Sequence, residues 1–250
     1  MTLEIDWRTL NVPMRDQANC GSCTAYGTAG AWEGVAKIAG DVFDLSERHL
    51  FTASGGTCDR GNTAEAPLDR ALIGVALEDQ CPYDGMATGS DIACDFETWT
   101  GKKLASWKYL ITKDEMIESL KKGPVASTMA VHQSFFLYVD GVYHSLGFAD
   151  TVAGGHMIAI YGYSESKDAW LLRNSWGEGW GMQGYCWIKT GDSEIDACMY
   201  EVVHGGDVGP EPGPGPIPPS DCPVANGIVW FWNGVYWLFG RKTRFRAIVP

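Results

Sequence analysis

The stretch Gln17-Ala18-Asn19-Cys20-Gly21-Ser22-Cys23 places a thiol where a long helix is expected to begin. Unpaired backbone N–H groups and the positive end of the helix dipole favour the thiolate there, which is the reactive form. Thiolate chemistry also needs a base. Five histidines are available (His49, His132, His144, His156 and His204), and His156 is the best placed. In Gly154-Gly155-His156-Met157-Ile158 it heads an apolar strand that can hold an imidazole rigidly, and the two glycines leave room for a substrate backbone. The other four histidines stand in polar or mixed contexts and read as surface or hydrogen-bonding residues. A base needs an orienting group in turn. Arg173-Asn174-Ser175-Trp176-Gly177-Glu178-Gly179-Trp180-Gly181 offers an amide carbonyl for the imidazole N–H, with Trp176 to keep water off that bond. Taken singly, a buried structural cysteine or a tryptophan-lined turn would account for each stretch.

These residues need elements to hold them. Trp32, Val35, Ala36 and Ala39 recur at helical spacing, so a helix is expected from Ser22, as N-cap, to about Ala39, stopped by Gly40. Small residues at 25, 27, 29, 30 and 31 suit a central, closely packed helix. Further helices are expected after Ser46, over roughly Ala64 to Glu78, and after Thr112, where Thr112-Lys113-Asp114-Glu115 fits a capping box. Strand-like runs follow at Val125–Val131, Phe135–Val139, His156–Tyr163, Ala169–Arg173 and Gly184–Lys189. Helices first and strands later predict an α+β protein with two unlike lobes.

The 250 residues carry 19 basic and 31 acidic side chains, a formal charge of −12, which argues against a nucleic-acid partner. No apolar run approaches the ~18 residues of a membrane span, and the first seven residues do not read as a secretory signal. Three regions are expected: residues 1–205 as the main domain, 206–219 as an extended Pro/Gly linker, and 220–250 as an aromatic and basic tail. Arg241, Lys242, Arg244 and Arg246 against Asp221 make the tail basic, while the main domain is strongly acidic. Eight cysteines point to disulfides and an oxidising compartment, extracellular or lysosome-like. No metal-ligand spacing or phosphate loop is present, so no metal or cofactor is expected.

Together, Gln17…Cys20-Gly-Ser-Cys23, Gly155-His156 and Asn174-Ser175-Trp176-Gly177 resemble the papain family of cysteine proteases, in the family's order. His156 follows Cys23 by 133 residues and Asn174 by 151, against about 130–150 in the family. Asp6-Trp7-Arg8, Leu45-Ser46-Glu47, Gly123-Pro124-Val125 and Gly184-Tyr185 extend the resemblance across about residues 4–205. It implies a papain-like fold, a helical lobe and an antiparallel β-barrel-like lobe with the active site in the cleft between them. It also implies Cys23 as nucleophile, His156 as base and later acid in a thiolate–imidazolium pair, and Asn174 as its orienter. Gln17 and the Cys23 N–H would form the oxyanion hole, and acylation of Cys23 followed by hydrolysis would cleave a peptide bond.

Several residues depart from the family pattern. Thr24 follows the nucleophile where tryptophan is usual. Cys58-Asp59-Arg60-Gly61 keeps Gly61 to pair with substrate backbone, while Arg60 adds a charge that would favour an acidic substrate residue. Gly155 replaces an aspartate. Thr128, Gly154, Met157 and Val203 would line the main specificity pocket, so an apolar or aromatic P2 side chain is expected, and Gly155 and Trp176 would also bind substrate. The resemblance implies a Cys20–Cys58 bridge and a local Cys81–Cys94 pair, with Cys198 either bridged to Cys186 or Cys222 or left free. The segment from Cys58 to Cys81 is too short for the histidine-bearing loop of carboxydipeptidases, which leaves an endopeptidase.

In the tail, Ile228 to Phe239 around Asn233-Gly234 predicts a β-hairpin, with Phe245 to Val249 as a third strand. It is expected to dock on the protease itself, or to bind a polysaccharide or anionic surface. Two other functions fit parts of this sequence: a cell-wall or isopeptide hydrolase anchored by the tail, and a binding protein on a retired protease scaffold. Intact Gln17, Cys23, His156 and Asn174 count against the second.

Overall fold

The computed structural model describes residues 2–84, 93–94, 99–208, 239–240 and 243–244. After a short strand β1 (Glu4–Asp6) come three helices, α1 (Cys23–Ile38), α2 (Glu47–Ala53) and α3 (Glu65–Ile73). Then follow β2 (Val75–Ala76), β3 (Gly101–Leu110), α4 (Lys113–Leu120), β4 (Val125–His132), β5 (Val142–Tyr143), β6 (Val152–Ser164), β7 (Ala169–Arg173), β8 (Tyr185–Lys189) and β9 (Met199–Val208). Strands β1 to β9 form one sheet in the order β2-β3-β9-β4-β6-β7-β8-β5, with β1 added on β6. Every pairing is antiparallel except β5 with β8. This is the α+β, papain-like architecture expected, helices packed against a large antiparallel sheet.

Two hydrophobic cores lie on opposite sides of the central strands, and alternation along each strand feeds both. On β6, Met157, Ala159 and Tyr161 join the core with α1, α2 and α3, while Ile158 and Ile160 join the core with α4. On β7, Ala169 and Leu171 face the first and Trp170 and Leu172 the second. A strand buried on both faces has no polar positions to spare, so β7 is buried throughout.

α1 is buried almost all round, thirteen of its sixteen residues, and its glycines set how close it lies to β6. A Cβ at Gly27 would stand 2.7 Å from Met157 Cγ and 3.0 Å from the Ile158 nitrogen. One at Gly30 would meet Arg173 Nη1 at 2.5 Å, and one at Gly34 would meet Pro124 Cγ at 2.6 Å. Helix and strand therefore touch backbone to side chain along their length. Gly40, with φ +86°, follows the helix end as expected.

Several expectations need correction. Ser22 occupies the N-cap position of α1, but its hydroxyl bonds to Tyr83 Oη at 2.8 Å and caps no helix N–H. α3 ends at Ile73, not near Glu78, because Gly74 at φ +147° turns the chain and Val75–Ala76 pair with β3. Phe135–Val139 is not a strand: Gln133–Leu137 forms a 3-10 turn, held where the Asp150 carboxylate accepts from the backbone N–H groups of Ser134 and Leu146, each at 3.0 Å. The caps at Ser46 and Thr112 form as expected. Ser46 Oγ accepts from the His49 N–H, and Thr112 and Glu115 complete a reciprocal capping box. The hairpin expected at Asn233-Gly234 and the strand at Phe245 to Val249 lie outside the described residues; among the described ones, Phe239–Gly240 pairs antiparallel with Thr243–Arg244.

Candidate active site

Helix and strand geometry brings the thiol to the imidazole. Gly27 sits over Met157. Four residues back along the helix is about 6 Å, and two residues back along the strand is about 6.6 Å. Cys23 therefore falls beside Gly155 and His156. All three line one cavity of about 600 Å³, together with Asp16, Gln17, Val131, Phe136, Trp176 and Trp180 among others. Cys23 begins α1, so its own N–H has no carbonyl one turn behind it.

Burial pushes the Cys23 thiol up to about 11, and the N–H groups of Met157, Thr24 and Cys23 itself pull the other way. Burial likewise pushes His156 down to about 4, opposed by its bond to Asn174. Taken alone, each group is favoured neutral. Moving one proton from sulfur to imidazole makes an ion pair with no net charge, so the two desolvation costs are offset by mutual attraction and by the helix N-terminus.

Asn174 follows β7 directly and is almost wholly buried. Its Oδ1 lies 2.7 Å from His156 Nε2 and accepts from the Ser175 N–H at 2.8 Å. The Asn174 contact uses Nε2 and leaves Nδ1 as the ring nitrogen for the thiol. The Trp176 ring centre is 5.0 Å from that of His156, over a bond that water would weaken. Trp176 is braced by Phe136, stacked at 5.1 Å and 13°, and by Trp180, edge-on at 5.2 Å.

The Gln17 amide is fixed at both ends. Its Nε2 donates to the Cys20 carbonyl at 2.8 Å, and its Oε1 accepts from Ser175 Oγ at 2.5 Å. One N–H of the amide is thus spent and one is left for a ligand in the cleft. Backbone bonds hold the loop, Gln17 N–H to the Ser175 carbonyl and Gly21 N–H to the Cys58 carbonyl, and Tyr83 Oη donates to the Gln17 carbonyl. A Cys20–Cys58 disulfide ties it further. Sequence reasoning quoted Ser175 in its motif but assigned it no role. Its partner Gln17 lies 158 residues away in sequence, so local pattern carries no signal for the contact.

Other expected site residues stand apart. Gly61, at φ +73°, donates its N–H to the Thr57 carbonyl at 2.7 Å and accepts from the Thr57 N–H at 3.3 Å. Arg60 is exposed and lies 3.8 Å from the Asp59 carboxylate. Thr128 and Met157 are directly paired across β4 and β6, as are Val131 and Gly154. Met157 is buried against Gly27, and Val203 is 41% exposed. None of Gly61, Arg60, Thr128, Gly154, Met157 or Val203 lines the cavity beside His156. Thr24 is buried, and its hydroxyl finds no hydrogen-bond partner among the described residues.

The disulfides need one correction. Cys81–Cys94 is formed, but Cys186 is a free thiol. Cys186 projects from β8 into the core with α4, whereas Cys198 belongs to the core with α1, so the sheet separates them. Cys198 is disulfide-bonded all the same, to a partner other than Cys186. These bridges suggest an oxidising compartment.

Residues 1–203 match the family described as papain family cysteine protease. Digestive cysteine proteinase 3 of Homarus americanus is 31% identical over 214 residues, 79% of this chain and 64% of the relative. Cysteine proteinase 1 of Entamoeba histolytica is 34% identical over 197 residues, 72% of this chain and 61% of the relative. The crystal structure of the Carica candamarcensis cysteine protease CMS1MS2 in complex with E-64 superposes with a TM-score of 0.65 at 27% identity, covering 80% of this chain and 97% of that one. The chain spans about half to two thirds of the length of the curated relatives it matches. With the match running from the first residue into β9, and the same fold beneath it, this chain belongs to the papain family of cysteine proteases.

Proposed function

We propose that the protein is a cysteine endopeptidase working through an acyl-enzyme on Cys23. Attack by Sγ on a peptide carbonyl builds negative charge on oxygen, which the free N–H of Gln17 Nε2 and the N–H of Cys23 receive. His156 holds the proton taken from sulfur and passes it to the leaving amine, after which it activates the water that releases the acid. Asn174 keeps the ring turned for both steps. An apolar or aromatic P2 side chain is the expected guest near Thr128, Gly154, Met157 and Val203, none of them charged. Residues 1–205 carry this activity, with an extracellular or lysosome-like setting suited to the bridges.

The observation that carries the reading is the 2.7 Å contact between His156 and Asn174 beside a helix-start thiol in one cleft. The test is intact-mass analysis after a peptidyl epoxide inactivator, beside turnover of dipeptidyl fluorogenic substrates with an apolar penultimate residue. One adduct per chain, absent in Cys23→Ala, with turnover falling in step, is the expected result. Folded, reduced protein that takes up no adduct and turns over nothing would refute it.

A further inference from the structure

We infer that the cleft on the leaving-group side of the scissile bond selects a basic substrate residue, and that Asp16 is the residue that selects it. The inference rests on the peptidase reading above. His156 delivers its proton to the leaving amine, so the departing half of the substrate lies beyond the imidazole, towards Gly155 and Trp176. That is where the 600 Å³ cavity opens. The residues expected on the acyl side, Gly61, Thr128, Gly154, Met157 and Val203, do not border it.

The walls suit a long side chain with a cationic end. Trp176 and Phe136 stack nearly parallel and Trp180 closes the corner edge-on. All three are only partly buried. Aromatic surface of this kind takes the methylenes of Lys or Arg and attracts their charge. Gly155 lines the same cavity and adds no side chain to its wall.

The charge comes from Asp16. Apart from Cys23 and His156, it is the one ionisable residue lining the cavity. It is exposed, its backbone is bridged to Trp176, and its Oδ1 accepts from the Ala18 N–H at 2.8 Å. Among the described residues it makes no ion pair. The molecule's net charge of −12 adds a background of the same sign. A basic residue in the cleft therefore meets an unpaired carboxylate and no competing cation.

The test compares internally quenched peptides of one acyl-side sequence, carrying Arg, Leu or Glu at the first or second leaving-group position. A fluorogenic amide with no residues on that side serves as reference. Arg should exceed Glu in kcat/KM by about three- to tenfold at low salt, and the ratio should shrink at high salt. Asp16→Asn keeps the acceptor for the Ala18 N–H. It should bring the ratio near one and leave turnover of the reference amide unchanged. Equal rates for Arg and Glu in the unaltered enzyme, or a preference that survives Asp16→Asn, would overturn the inference. Absence of turnover on the reference amide would overturn the peptidase reading, and this inference with it.

Discussion

Gly27 lets α1 lie close against β6, and on the proposed mechanism adding one methyl group there should displace Cys23 from His156. A Cβ at position 27 would lie 3.0 Å from the Ile158 nitrogen and from the Met157 carbonyl carbon. An ordinary contact is about 3.4 Å, so α1 must lift off β6 by a few tenths of an ångström. Met157 Cγ, at 2.7 Å, can swing aside, but the strand backbone cannot. Overpacking of this kind costs about 1–3 kcal/mol, and the helical preference of Ala over Gly returns about 1 kcal/mol. The melting temperature of Gly27→Ala should therefore fall only modestly. Catalysis should suffer more, because Cys23 lies one turn away on the same face, and misplacement by about 1 Å can cost a hundredfold. The expected loss in kcat is about tenfold or more. Gly34→Ala meets Pro124 Cγ at 2.6 Å and Tyr161 Oη at 3.0 Å, about 10 Å beyond Gly27 along the helix and about 16 Å from Cys23. It should cost comparable stability and less kcat. Steady-state kinetics with thermal denaturation on both variants decides the matter. Full activity in Gly27→Ala, or equal kcat losses in the two, would refute the reasoning.

Asn174→Ala removes the acceptor of both the His156 contact and the Ser175 N–H, so it should cost about 1–3 kcal/mol in denaturant unfolding. It should also lower kcat at least tenfold with little change in KM. Glu33 is buried, and burial raises its carboxyl to about 7, opposed by the hydrogen bond from the Leu45 N–H. Its folded-state pKa stands above the unfolded value, so the protonated fold is the favoured one. That contribution is complete below about pH 4.5 and is lost as pH rises to about 7, on the order of 3 kcal/mol. Melting temperatures measured from pH 4 to 8 should fall across this window, and Glu33→Gln should flatten the slope.

The site was more legible in the sequence than the sheet. Cys23 and Asn174 each sit in a short run whose neighbours declare the element, a helix start and a tryptophan turn, whereas His156 is the fifth residue of β6 and not its head, because Gly154 and Gly155 already pair with β4. β7 was legible to the residue, because its apolar run is bounded by charged Asp168 and by Asn174. β3 was not seen. Register shifts between Lys103 and Leu104 and between Leu104 and Ser106 break its alternation, leaving Leu104, Trp107 and Leu110 buried at intervals of three. β9, its partner, shares those shifts and carries Gly205 and Gly206, which weaken any strand pattern. Phe135–Val139 has strand composition, but the Asp150 carboxylate lies sixteen residues ahead of Ser134, beyond local pattern. Which face of β8 carries Cys186 depends on register, and one residue either way would have turned it towards the other core.

The most direct test of the central claim, a thiol ionised by its imidazole neighbour, is the pH dependence of Cys23 alkylation by iodoacetamide. Cys186 is fully buried and the remaining described cysteines are bridged, so the reagent reports on Cys23. The account predicts a plateau of fast alkylation through neutral and mildly acidic pH, lost in His156→Ala, where the rate should climb only in alkali. A wild-type rate that climbs steadily towards a pKa of about 11, where burial outweighs the neighbouring N–H groups and no ion pair forms, would contradict it.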